Sequence, residues 1–251
     1  MNLEALVLCR TGAVRKNNED AALAYWERGR GLFLVADGMG GYAEGERASG
    51  CIAERMREWW LGLEPARYAG CEELVFEEAK HVLERANEEI YRSTANGHIC
   101  GSTVVLLLVW EKKSFLLSVG DSRCYLLPGG LFGGSLVRLT RDDVWENSAA
   151  AAGVRQKENH PDYGKLTNAV GIGTGVRYTA CTDRPKAGGV YLLCSDGIHK
   201  YCAEETIQSS LRAAAGGNLQ KAMGILEREV IRNGAKDNYS AVIVRVKKGN
   251  V

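Results

Sequence analysis

Three apolar runs in this chain stop at or beside an aspartate. Gly31 to Ala36 runs into Asp37-Gly38-Met39-Gly40-Gly41, Ser114 to Val119 into Gly120-Asp121-Ser122-Arg123, and Val190 to Cys194 into Ser195-Asp196-Gly197. Runs this short, bounded by Gly and Asp, read as buried strands rather than helices. Asp and Gly are also ordinary turn residues, so each acidic stop taken singly is accounted for by turn chemistry or a helix cap. Their number is what constrains the chain. Lys236-Asp237-Asn238 adds another acidic locus just before the last strand, Ala241 to Val246, and Arg15 with Asn17-Asn18-Glu19-Asp20 adds one more near the start.

The rest of the pattern alternates runs of strands with paired helices. Leu3 to Cys9 is β-compatible, and Thr103 to Val109, Ser114 to Val119 and Cys124 to Leu127 form a short-turn meander, which implies antiparallel pairing. Helical spacing marks Glu44 to Leu63, with Ala48, Ile52, Ala53, Met56 and Trp60 on one face. It returns in Cys71 to Ser93, with Leu74, Val75, Ala79, Val82, Leu83, Ala86 and Ile90, and Asn96-Gly97 is expected to end that helix. Two further helices are expected over Ala203 to Ala215 and Leu219 to Asn233. Trp145 to Lys165 has no clean period and reads as a helical piece plus an exposed excursion, the kind of segment that carries recognition. No repeat, Pro-rich linker or like-charge block divides the chain. One domain over residues 1–251 is expected, an α+β fold in layers rather than a βαβ winding.

Composition narrows the function classes. Hydrophobic residues at 45% supply a sizeable core, and a net charge of +1 leaves no global basic field for nucleic acid or an anionic membrane. The longest apolar run, Thr103 to Trp110, falls far short of the ~20 residues a spanning helix needs. Glu4 and the absence of a basic leader make Met1 to Arg10 a poor signal peptide. The eight cysteines form no Cys-x-x-Cys pair, and several lie inside apolar runs and read as small buried hydrophobes in a reducing compartment, so a cytoplasmic protein is expected.

Carboxylates gathered at a low-dielectric sheet edge repel one another and cannot all stay ionised unless a cation joins them. Oxygen-only ligands select hard cations, Mg2+ or Mn2+, over zinc, and the histidines at 81, 98, 160 and 199 lack metal-ligand spacing. Glycine at position 38 allows close backbone approach and leaves its carbonyl free to act as a ligand. Such a site suits hydrolysis of a phosphate ester, for which Arg15 offers a fork of donors to the phosphate.

Taken in order, these segments resemble the metal-dependent Ser/Thr protein phosphatases of type 2C, in their bacterial form. The resemblance rests on Arg15 with Asn18-Glu19-Asp20, Val35-Ala36-Asp37-Gly38-Met39-Gly40-Gly41, Gly101-Ser102-Thr103 and Val119-Gly120-Asp121-Ser122-Arg123. It continues through Leu139-Thr140-Arg141-Asp142, Leu166-Thr167-Asn168-Ala169-Val170-Gly171, Leu193-Cys194-Ser195-Asp196-Gly197 and Asp237-Asn238. It implies a four-layer αββα sandwich, two packed antiparallel sheets flanked by helix pairs. It also implies hydrolysis of phosphoserine and phosphothreonine on proteins by a water bridging two Mn2+ or Mg2+ ions, with no covalent phosphoenzyme. In that scheme Asp37 bridges the two metals and Asp196 and Asp237 complete the first. The Gly38 carbonyl with Asp20, and Glu19 through water, serve the second. Asp121, helped by Asp196, holds a third, weaker ion, and Arg15 binds the substrate phosphate. The implied partners are phosphorylated proteins and a cognate Ser/Thr kinase, and the expected state is a monomer.

Two departures stand out. Many eukaryotic members carry a histidine after the Asp-Gly, a proposed general acid, where this chain has Met39, and a thioether cannot donate a proton. The usual Asp-His-Ser becomes Asp142-Asp143-Val144, just before the flap at 145–165, where substrate selection is expected. Cys51-x5-Arg57 formally fits a cysteine phosphatase but lacks the glycines of a phosphate cradle. The alternative from another class is a catalytically weak or inactive regulator of the same fold that binds phosphoproteins. A phosphoesterase for small molecules is the third reading.

Overall fold

Side chains alternate between the two faces of a strand, so a strand apolar on both faces must be covered on both. In the computed structural model, which describes residues 1–40, 44–93, 100–129 and 134–247, that requirement produces four layers. One sheet has the order β1 (Leu3–Arg10), β11 (Tyr239–Val246), β10 (Val190–Cys194), β7 (Arg123–Leu127) and β8 (Val137–Arg138). The other runs β2 (Asp20–Glu27), β3 (Arg30–Gly40), β5 (Val104–Trp110), β6 (Lys113–Val119) and β9 (Thr179–Asp183), with β4 (Cys100–Ser102) paired to β3. Every pairing is antiparallel.

Three apolar layers follow from the alternation. Leu32, Leu34 and Ala36 of β3 pack against α1 (Glu44–Leu61) and α2 (Glu72–Ser93), while Phe33 and Val35 point the other way, between the sheets. In β11, Ala241 and Ile243 pack with Leu211 of α4 (Glu204–Ala215) and Leu226 of α5 (Leu219–Arg232), and Val242, Val244 and Val246 fill the layer between the sheets. This is the αββα sandwich that the resemblance implied.

The helical stripes hold with one exception. Ala48, Ile52 and Met56 are fully buried, as are Val75, Ala79 and Leu83. Leu74 is exposed, and Phe76, stacked on Phe115, takes the buried place beside Val75. Gly41, Asn96-Gly97 and His98 lie outside the described residues.

Three strand expectations change. β3 does not stop at Ala36 but continues to Gly40, because Gly38, Met39 and Gly40 pair with Ser102, Gly101 and Cys100 of β4. Asp37 therefore sits within a strand, not on a turn. β2 and β9 are strands that no apolar run announces: β2 is mostly half-buried, and β9 is exposed along its length at the sheet edge. The segment Trp145 to Lys165 holds only short 3-10 turns at Trp145–Asn147, Ala149–Ala151 and Lys157–Asn159.

Candidate active site

The acidic loci meet. A cleft of about 310 Å3 is lined by Glu19, Asp37, Asp121, Asp196 and Asp237, facing the cations Arg15 and Lys200. Gly38, Met39, Thr103 and Asn238 complete its floor, and Gly164 and Leu166 form part of its rim. Asp20 does not line it. It opens β2 directly opposite Asp37, is only 7% exposed, and accepts a hydrogen bond on Oδ2 from Ser195 Oγ (2.8 Å).

Each carboxylate is placed by its backbone. The Asp37 N–H donates to Thr103 Oγ1 (3.1 Å), and its carbonyl accepts from the Thr103 N–H (2.9 Å) and from Ser102 Oγ (3.0 Å). Asp196 opens the four-residue helix α3 (Asp196–His199). Asn238 ties the N-terminal loop to Asp237: its Oδ1 accepts from the Glu19 N–H (2.9 Å), and its Nδ2 donates to the carbonyls of Thr11 (2.8 Å) and Asn17 (2.9 Å). Glycine at 38 is required by space. A Cβ there would sit 2.1 Å from the Gly45 carbonyl oxygen, so nothing larger passes between β3 and the start of α1.

Electrostatics make the cleft short of positive charge. Burial, then the charges of Asp20, Asp196 and Asp121, raise the Asp37 carboxyl well above its ordinary range. Burial pushes Asp20 up to about 7, against a hydrogen bond from Ser195 that favours its charged form. Asp121 is pushed up to about 6 by burial and the Asp196 charge, and burial raises Glu19. Arg15 Nη2 spans both oxygens of Asp237 (2.8 and 2.9 Å), and Lys200 Nζ sits 2.6 Å from Asp196 Oδ2.

These ion pairs matter for a metal. Among the described residues, no group of three His, Cys, Asp or Glu side chains holds an ion-binding arrangement as it stands. Arg15, Lys200 and Ser195 occupy oxygens of Asp237, Asp196 and Asp20. The donor set nonetheless fits a hard divalent cation. It is all oxygen, it carries excess negative charge, and Asp20 Oδ1 is buried with no hydrogen-bond partner among the described residues.

Residues that the motifs did not single out complete the site. Lys200 faces Asp196 one helical turn on, a spacing of i and i+4 that is visible in the sequence. His199 Nε2 donates to the Asp121 carbonyl (3.0 Å), and burial lowers its pKa to about 4, so its ring is neutral. Nothing in the histidine spacing announces that contact. In the altered flap hinge, Asp142 pairs with Arg123 (2.6 Å), and Asp143 Oδ2 accepts from the Gly120 N–H (3.1 Å) and Asn168 Nδ2 (2.8 Å). The flap is closed on itself by an antiparallel bridge between Val144 and Leu166 and by Trp145 stacked on His160 at 3.8 Å. Cys51 lies inside α1 with its thiol pushed up to about 11 by burial, the state of a packing residue rather than a nucleophile.

The sequence profile of the family described as protein phosphatase 2C matches residues 13–224. The chain belongs to the protein phosphatase 2C family. It is 29% identical over 238 residues to the serine/threonine protein phosphatase PstP of Mycobacterium tuberculosis, covering 94% of this chain. The chain spans 43% of that relative's length. The crystal structure of the Mycobacterium tuberculosis phosphatase PstP superposes with a TM-score of 0.81 at 27% identity, covering 98% of this chain and 99% of that one. A structure of the PstP catalytic domain in complex with two manganese ions superposes with a TM-score of 0.78 at 26% identity, covering 98% and 99%.

Proposed function

We propose that this chain, as one catalytic domain over residues 1–251, is a metal-dependent phosphatase that removes phosphate from serine and threonine in proteins and so reverses a Ser/Thr kinase. The observation that carries this is the single cleft in which Asp37, Asp196, Asp237 and Glu19 converge with Arg15, with Asp20 opposite Asp37 across the β2–β3 ladder. The regulator alternative fits a site that has lost its acidic residues, and here every one is present. The proposed setting is the cytoplasm, as a monomer acting on phosphoproteins, with no nucleic acid or membrane partner. No helix among the described residues is long and apolar enough to cross a membrane.

Asp37, Asp196, Asp237, Asp20, Glu19 and the Gly38 carbonyl are the groups that would hold two Mn2+ or Mg2+ ions. Such ions supply an activated water and offset the charge of the phosphoryl oxygens. The chain's own part is orientation. Arg15 reaches the cleft from a loop fastened by Asn238; it now holds Asp237 through Nη2 alone, and its planar fork suits the oxygens of a phosphate. The hydrogen bonds on Asp37 and the close packing at Gly38 fix the donors in place before substrate arrives. Met39 gives no proton, so the leaving serine or threonine oxygen takes one from another group. Gly164 and Leu166 put the flap's C-terminal end on the cleft rim, where residues flanking the phosphoamino acid would lie.

Turnover of a phosphothreonine peptide compared with free phosphothreonine and a nucleotide tests the substrate class. Preference for the peptide is expected. Equal or better turnover of the small esters would assign the protein to small-molecule phosphate chemistry instead.

A further inference from the structure

Asp196 opens α3 and Lys200 follows its last residue one helical turn on, and they grip each other. Lys200 Nζ lies 2.6 Å from Asp196 Oδ2 and 3.7 Å from Asp121 Oδ2. Asp121 and Lys200 differ in their freedom. Asp121 is 6% exposed and held by its backbone, whose carbonyl accepts from His199 Nε2. Lys200 is half exposed on a flexible stem, so it comes to Asp121 rather than the reverse. This is the place where the resemblance puts a third, weaker metal ion, between Asp121 and Asp196.

We infer that this chain supplies that cation itself: the Lys200 ammonium occupies the space between Asp121 and Asp196, so the protein binds two divalent ions and no third. The inference rests on the two-ion reading above. Asp121 is then the anchor of a tethered charge and not a metal ligand, and the pair holds Asp196 oriented before any ion arrives. A tethered ammonium is present at a constant high local concentration, whereas a free ion must displace it and then sit beside it as a like charge. Lysine is a compact ammonium with three donors, so one nitrogen can address both carboxylates, as a small cation would.

Calorimetric titration of the metal-free protein with Mn2+, checked by electron paramagnetic resonance of the free Mn2+, counts the ions directly and does not depend on turnover. Two bound ions per chain are expected for the wild type and for Lys200→Arg, and three for Lys200→Asp. Asp121→Asn added to Lys200→Asp should bring the number back to two. Thermal melting of each variant shows that it is folded. Three ions in the wild type, one of them lost in Asp121→Asn alone, would overturn the Lys200 assignment and leave the two-ion reading standing. A count of two in folded Lys200→Asp would also overturn it, because the vacated place would then not be a cation site. No bound ion in any of the proteins would overturn the two-ion reading and this inference with it.

Discussion

Asp20 stands directly opposite Asp37 in the β2–β3 ladder, which puts a buried carboxyl and a half-buried one on one face of a sheet, one strand apart. Like charges in that position destabilise a sheet. The pair is tolerable in the folded chain only if protons or cations neutralise it, and Ser195 offers Asp20 one hydrogen bond, on Oδ2.

That relationship predicts a pH dependence. Asp20 sits at about 7 in the folded protein against an ordinary 3.8, with burial the main cause. Between those two values the folded, metal-free state holds a proton that the unfolded state has lost, so this group's contribution to stability falls as pH rises through the window. Asp20→Asn removes the contribution. Thermal melting of the metal-free proteins should show the variant gaining on the wild type from about pH 4 to about pH 7, and Mn2+ should narrow the gap by stabilising the wild type more than the variant. A constant difference across that window would contradict the assignment.

Gly38→Ala places a methyl group where the nearest backbone oxygen, that of Gly45, is 2.1 Å away. Overpacking of this kind costs about 1–3 kcal/mol. Denaturant unfolding should show a loss of that order, and Mn2+ affinity should fall because the β3–α1 approach widens. Unchanged stability and affinity would mean that the backbone there is softer than the contacts indicate.

Arg15→Ala should mainly raise KM for a phosphopeptide. A hydrogen bond to a charged group contributes about 1.5–3 kcal/mol, on the order of a tenfold or greater rise in KM. Because Arg15 now covers both oxygens of Asp237, Mn2+ should bind the variant at least as tightly as the wild type. An unchanged KM would reduce Arg15 to a structural partner of Asp237.

Asp143→Ala removes the side-chain acceptor of the Gly120 N–H, leaving the flap hinge tied to Gly120 only by the backbone bond from the residue 143 N–H to the Gly120 carbonyl, and leaves Asn168 Nδ2 with the Arg177 carbonyl as its remaining partner. The cost in stability should be about 1–3 kcal/mol. The sharper readout is selectivity. KM for a phosphopeptide should rise while turnover of a small aryl phosphate, which does not reach the flap, holds. Equal effects on both would remove the flap from substrate selection.

The layered α+β architecture was legible because runs of strands alternate with paired helices, while the count of four layers came from the family resemblance; β3, β5, β10 and β11, apolar on both faces, are what the helices and the second sheet cover. The acidic loci were legible because an aspartate at or just beyond the end of an apolar run breaks it, although Asp37 sits inside β3, which continues to Gly40. β2 escaped because Asp-Ala-Ala-Leu-Ala-Tyr-Trp-Glu is half-buried and forms no apolar run, and β9 because it is an exposed edge strand. The spacing of the loci did not say which carboxylates face the cleft. Glu19, given the lesser role in the sequence, lines it, whereas Asp20 lies behind with an unpartnered oxygen. Lys200 carried a local signal, its i+4 offset from Asp196, but its approach to Asp121 depends on β7 and β10 being neighbours, which only the fold supplies.

Metal-dependent hydrolysis is read from turnover of a phosphothreonine peptide by metal-stripped protein, titrated with Mn2+ and with Mg2+, beside the Asp237→Ala variant. No turnover is expected without metal, with turnover restored by titration and little or none restored in the variant. Turnover that survives metal removal, or a variant restored as fully as the wild type, would contradict that expectation.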